Sequence, residues 1–298
     1  MRTRVKIRFD ASDIPGQASA VFEAVGLRPD EATVTDVPVL RQLVVWLTLD
    51  TTDPRLSRLQ DLLLRHGVDP LEIYRDLYTE EELDAAPLLV LQPLNTCSIS
   101  GGSRYGTTYD LTGACPACGT GARQTSAVFV RGEQLDELEG RKIGGTVQEH
   151  VFVDAEIAEE LVRIGATGLS FRSVYARMPD GRQIKLRWQQ LFAEKTLPRM
   201  SPRTTGIVRD RECKVCDRNG YATTMSAPPR FVYRKADLQN AADVNHSWEN
   251  CGSALLKPDL RESFLSHPWL LVTPRVRRVI VQAGATDIEW FPVRVEDG

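Results

Sequence analysis

The chain has 298 residues, a net charge of −3 and 26% charged side chains, within the range of an ordinary globular protein and long enough for two domains. No apolar run approaches the ~20 residues needed to span a membrane. The slightly acidic balance, with a pI near 5.9, argues against sequence-independent nucleic-acid binding, which depends on neutralising phosphates.

Residues 1–95 read as a small α/β domain. Val5, Ile7 and Phe9 alternate as one face of a strand. This N-terminus lacks the apolar core of an export signal, so the expected compartment is the cytoplasm. Pro15–Val25 reads as a helix closed by Gly26. Leu43–Leu49 has the β-branched content of a buried strand. Asp53-Pro54 opens a helix whose leucines 56, 59, 62 and 63 form one stripe, with His66 and Gly67 at its end. Thr79–Glu82 is a capping box, and Leu88–Leu91 follows as a strand. Residues 95–112, rich in Gly, Ser and Thr, read as a linker or hairpin.

Beyond this point the chain repeats itself. Val153 and Val272, Val162 and Val281, and Val174 and Val293 are each separated by 119 residues, as are Gly165-Ala-Thr167 and Gly284-Ala-Thr286. Nearer the start of each copy the offset is 103, relating Arg131 to Arg234 and Leu135 to Leu238. Each copy, roughly 113–178 and 211–296, has one plan: a Cys-x-x-Cys pair, a strand, an Arg-x-x-x-Leu segment, a strand, an amphipathic helix stopped by glycine, and a closing strand. Between the copies Ile184, Leu186 and Trp188 alternate as a further strand. The expected fold class is therefore α+β: a small α/β N-terminal domain (1–95), then a double-CxxC domain (96–298) built as a duplicated zinc-ribbon-like unit sharing one four-cysteine site.

The pairs Cys115-Pro-Ala-Cys118 and Cys213-Lys-Val-Cys216 carry the chemistry. At this spacing two thiolates reach one tetrahedral ion, and two such pairs complete a structural zinc site of one Zn2+ per chain. A reducing compartment favours metal over a disulfide. The rival arrangement is two sites, with Cys97 and His150 joining the first pair and His246 and Cys251 the second. No zinc-protease, nucleophile-elbow, Walker or dinucleotide motif occurs, so neither catalytic nor organic-cofactor residues are expected. Trp46, Trp188, Trp269 and Trp290 read as core, and Trp248 falls in a loop-like stretch, Asp243–Gly252, as a candidate exposed aromatic anchor.

Cys115-Pro-Ala-Cys118-Gly119 and Cys213-Lys-Val-Cys216, with the closing segments around Gly-Ala-Thr, resemble the bacterial double-CxxCG-motif proteins over residues 95–295. That family includes predicted immunity proteins of contact-dependent toxin systems. The resemblance implies that the four cysteines are metal ligands and that the protein acts by binding another protein, such as a toxin. Asp217 stands where the family pattern has Gly, which is expected to change the second knuckle's turn. Two other roles compete. One is a nucleic-acid-binding ribbon using the basic segment Arg199–Arg218, and the other is an enzyme with a site between the domains.

Overall fold

The computed structural model describes residues 1–94, 99–146, 150–210, 212–252 and 266–297. Cys97 and Arg211 lie outside the described residues. The fold is mixed α+β with several sheets, and the chain divides into two compact units.

The first unit is Met1–Glu80 with Thr223–Pro229. Its elements run β1 (Arg2–Asp10), α1 (Gln17–Val25), β2 (Ala32–Val37), β3 (Gln42–Asp50), α2 (Pro54–Arg65) and β4 (Leu71–Leu77). The strand order is β2-β3-β1-β4, and every neighbouring pair is antiparallel. This is the split-βαβ, ferredoxin-like arrangement. Val5, Ile7 and Phe9 of β1 and Val45, Leu47 and Leu49 of β3 form the covered face, packed with Val21 and Phe22 of α1 and Leu56, Leu59 and Leu63 of α2. Gly26 ends α1 at φ 81°, its N–H returning to Phe22 O at 2.8 Å. Asp53 caps α2 by accepting from the Arg55 N–H. Trp46 departs from the expected core placement. It sits on the opposite face of β3, beneath Lys6 (4.6 Å) and Arg8 (5.8 Å), because its neighbours Val45 and Leu47 own the covered face. The edge strands β2 and β4 carried no sequence signal: β2 buries none of its side chains and β4 only Asp76.

The second unit is Glu81–Ala222 with Arg230–Gly298. Helix α3 (Glu80–Ala85) leads to β5 (Leu89–Pro93), then β6 (Tyr109–Asp110), β7 (Arg123–Gln124), β8 (Val128–Arg131), β9 (Ile143–Gly145), β10 (Val151–Val153), α4 (Ala155–Arg163), β11 (Leu169–Arg177) and β12 (Gln183–Ala193). There follow β13 (Ile207–Arg209), β14 (Tyr221–Thr223), β15 (Val232–Arg234), α5 (Lys235–Leu238), β16 (Val244–Cys251), β17 (His267–Val272), α6 (Pro274–Gln282), β18 (Ile288–Pro292) and β19 (Arg294–Glu296). Trp248 is thus in a strand, β16, rather than in a loop, and it is half-buried.

One sheet runs β8-β11-β12-β10-β9; the other runs β13-β14-β16-β17-β5-β18, beside a separate parallel pair β15-β19. In the first, Phe152 faces Gln190, which faces Arg172. In the second, Leu271 faces Val90, which faces Phe291. The outer positions of these triplets are again 119 residues apart. The parallel partners Arg131 and Arg177 in one half, and Arg234 and Glu296 in the other, obey the same pair of offsets, 103 and 119. Strand β5, which the sequence reading assigned to the N-terminal α/β domain, lies between β17 and β18 in the second unit. Each middle strand, β5 or β12, thus comes from chain leading toward the other half's knuckle.

The helices end alike. Gly165 N–H reaches Val162 O and Ala166 N–H reaches Leu161 O; Gly284 and Ala285 repeat this with Val281 and Ile280. Both glycines are left-handed, at φ 66° and 79°. Helix α4 buries Ile157, Ala158 and Leu161, α6 buries Val276, Val279 and Ile280, and the two helices touch one another.

Candidate metal centre

Each cysteine pair sits at the tip of a short hairpin. Strands β6 and β7 pair Tyr109 with Gln124 and flank Cys115 and Cys118. Strands β13 and β14 are hydrogen-bonded neighbours flanking Cys213 and Cys216. Gly220 closes the second hairpin at φ 86°, where a Cβ would meet Asp210 O at 2.6 Å. Only glycine fits that approach.

The knuckle turns are built from backbone donors. Gly119 N–H donates to Cys115 O at 2.8 Å, and Cys115 N–H donates to Thr120 O at 2.9 Å. In the second knuckle Asp217 N–H donates to Cys213 O at 3.1 Å, while Cys213 N–H donates to Asn219 Oδ1 at 2.6 Å. The expectation that Asp217 alters this turn is corrected. Asp217 adopts φ 57° and Gly119 adopts φ 71°, so both take the left-handed conformation. Aspartate is among the side chains that tolerate it. Its carboxylate is held by Arg199 first and then Arg209, which keep it below the usual carboxylate range.

The four sulfurs converge. All ligand atoms of Cys115, Cys118, Cys213 and Cys216 lie within 4.8 Å of one another. Cys115 Sγ is 3.8 Å from Cys213 Sγ, and Cys118 Sγ is 3.5 Å from Cys216 Sγ. Tetrahedral thiolates at a bond length of about 2.3 Å would stand about 3.8 Å apart. The four are free thiols, not disulfides. The donor set therefore fits a metal ion, and these four residues could hold one. Burial pushes the Cys118 thiol up to about 12, against its hydrogen bonds with Thr120, and raises Cys216. At Cys213 burial also pushes upward, but the N–H groups of Cys216 and Val215 and then the Cys118 and Cys115 thiols together outweigh it and bring the thiol down to about 7. A bound cation would supply the positive charge that keeps all four as thiolates.

Among the described residues no other His, Cys, Asp or Glu group is spaced for a metal. His150, His246 and Cys251 are not brought to the sulfurs, and Cys97 of the two-site arrangement is outside the described residues. His150 instead bonds Tyr109 Oη (3.0 Å) and Thr146 Oγ1 (2.9 Å) through its ring. Together with His246 and His267 it lines a cleft in this unit. No motif announced that gathering, because each histidine comes from a different stretch of chain.

The basic segment is partly neutralised, by carboxylates inside and outside it. Arg199 and Arg209 pair with Asp217, Lys214 with Glu212 and Arg203 with Glu296. Arg199 and Arg218 also cover the Trp248 ring, at 4.4 and 5.3 Å. Compared with known proteins, the chain matches no family model, and no curated protein is significantly similar to it.

Proposed function

We propose that the four cysteines hold one structural zinc ion, and that the protein acts by binding another protein rather than by catalysis at the metal. The convergence of four sulfurs on one point carries the first half of this reading. Four thiolates fill a tetrahedral shell and leave no position for a reacting water. The matching sheet registers support a duplicated zinc-ribbon-like unit whose two copies exchange their leading strands, β5 and β12. The metal then joins the two interlocked copies at their knuckles.

Protein binding draws support from two features besides the double-CxxCG resemblance. Four of the basic segment's side chains are engaged by carboxylates of the same chain, which weakens the nucleic-acid alternative. In the first unit Val39 and Leu40 are 93% and 63% exposed beside β2, a sheet-edge strand. Exposed apolar side chains next to an open edge suit a protein partner. A toxin bound by an immunity protein is the specific form that the resemblance suggests. Native mass spectrometry tests the metal: the expected mass is one chain plus one zinc, and an intact chain with no metal or two overturns the site. Growth protection against any toxin encoded by a neighbouring gene tests the role. Protection should be lost in Val39→Asp/Leu40→Asp protein that still carries zinc. Absence of protection by the native chain removes the immunity reading.

A further inference from the structure

A cleft of about 1080 Å3 lies within the second unit, lined from both sheets and from the hairpins that carry the cysteines. This is at the upper end of the size of small-molecule sites. Its charge is unlike that of the whole chain. Among the described lining residues there are three arginines, Arg104, Arg123 and Arg218, and one carboxylate, Glu194. The chain overall carries −3. Arg123 is paired with Asp110, outside the lining, at 3.1 Å.

Behind this wall lies Arg172. Its guanidinium covers the Phe192 ring at 3.9 Å and donates to Gln124 O at 2.8 Å. Among the described residues it has no carboxylate partner, and burial lowers its pKa. It is half-buried, and a cation partly withdrawn from water without a counter-charge is disfavoured. Phe192, which it covers, lines the cleft and meets the His246 ring edge-on at 5.5 Å. The ring nitrogens of His246 make no hydrogen bond to the described protein. Burial first, then His267 and Arg172, hold His150 and His246 down at about 4, so both rings are neutral near pH 7. A neutral imidazole can donate to an incoming oxygen. The Gln124 and Gln190 side chains hold each other in a reciprocal amide pair at 2.8 and 2.9 Å, which fixes the strands beneath. Phe192 and Trp269 supply an aromatic wall. The imidazoles are not spaced to share a metal ion, and arginines would repel one.

We propose that this cleft binds a small organic oxyanion, a carboxylate or a phosphate on an aromatic or apolar body, oriented by His246 and by the positive field of Arg172 behind Phe192. Arg172 is half-buried behind Phe192, so water screens its field less than that of a fully exposed arginine. The oxygen atoms would meet the His246 ring, with Arg172 acting through space from behind Phe192, and the apolar body would lie against Phe192 and Trp269. This site is separate from the metal and from the exposed Val39–Leu40 edge, so its failure would leave the zinc and partner readings standing.

Three probes of similar shape test it on the full chain by titration calorimetry, with Trp269 fluorescence as a second readout: phenyl phosphate, benzoate and uncharged benzamide. One anion at least should bind saturably, one per chain, and benzamide should not. Preference between phenyl phosphate and benzoate identifies the source of the oxyanion. Arg172→Gln and His246→Phe should each weaken binding about tenfold or more, with zinc content and circular dichroism unchanged. If Arg172→Gln does not fold, His246→Phe and the benzamide comparison decide. The proposal is overturned if neither anion binds, if benzamide binds equally well, or if folded variants bind like the native chain.

Discussion

The two units solve the problem of holding a sheet together in different ways. In the first, β1 and β3 lay an apolar face against two helices, and among the described residues the buried polar side chain there is Asp76, bonded to Thr3. In the second, polar groups are buried throughout: Gln124, Gln190, Asn219, Asn245, Glu249 and Asn250 are all at most 5% exposed. Such groups must each find a partner and contribute little net stability. Long-range pairing of β5 and β12 adds the entropic cost of closing large loops. A metal joining residues about a hundred positions apart suits the second unit and would do nothing for the first.

The largest expected effect separates them directly. Removing metal with a chelator, or by Cys213→Ser, should withdraw about 10 kcal/mol of binding free energy from the second unit. Hydrogen exchange should then show lost protection in β10, β12 and β17, with β1 and β3 still protected. Joint loss in both units would break the comparison. The converse change is Leu59→Ala in α2, a fully buried side chain. It should destabilise the first unit by roughly 2–5 kcal/mol and leave zinc stoichiometry as it was.

Acid should act on the second unit through its histidines. An unfolded imidazole titrates near 6.5, whereas His150 and His246 are held at about 4, by burial first and then by His267 and Arg172. Between those values the unfolded chain binds more protons, so stability rises with pH there and is lost as pH falls from 6.5 toward 4. The loss should approach about 2 kcal/mol per ring by about pH 5. Denaturant titrations of native and His246→Gln protein at pH 7 and 5 should show the shallower dependence in the variant. The smallest effect concerns the second knuckle. Asp217→Gly relieves a left-handed φ but loses the arginine pairs, and should stay within about 1 kcal/mol of native. Asp217→Val adds β-branched strain at the same φ and should cost about 1–3 kcal/mol. Thermal midpoints of the metal-loaded proteins rank the two.

Elements with a strong local signature were legible in the chain. Helix α2, with its leucine stripe and Asp53 cap, and strands β1 and β3, with their apolar faces, fall where the pattern places them. The strands β2 and β4 did not show, because edge strands that bury little apolar surface leave no alternation to read. Trp248 was placed in a loop rather than a strand because the segment around it, Asn245 to Asn250, is polar. Those polar groups are buried in β16 and paired, which a hydrophobicity pattern cannot express.

The Cys-x-x-Cys spacing, the glycine stops of α4 and α6 and the constant offsets between the halves are properties of short stretches of chain. Local geometry dictates them, so residue order alone specified them. Folding decided the rest. It decided that Asp217 takes a glycine's conformation under two arginines, and that β5 crosses into the sheet of the second half. It also decided that three histidines from separate segments line one cleft, with an arginine that has no carboxylate partner among the described residues behind its wall. These depend on distances between residues far apart in the chain, which only the packed structure determines.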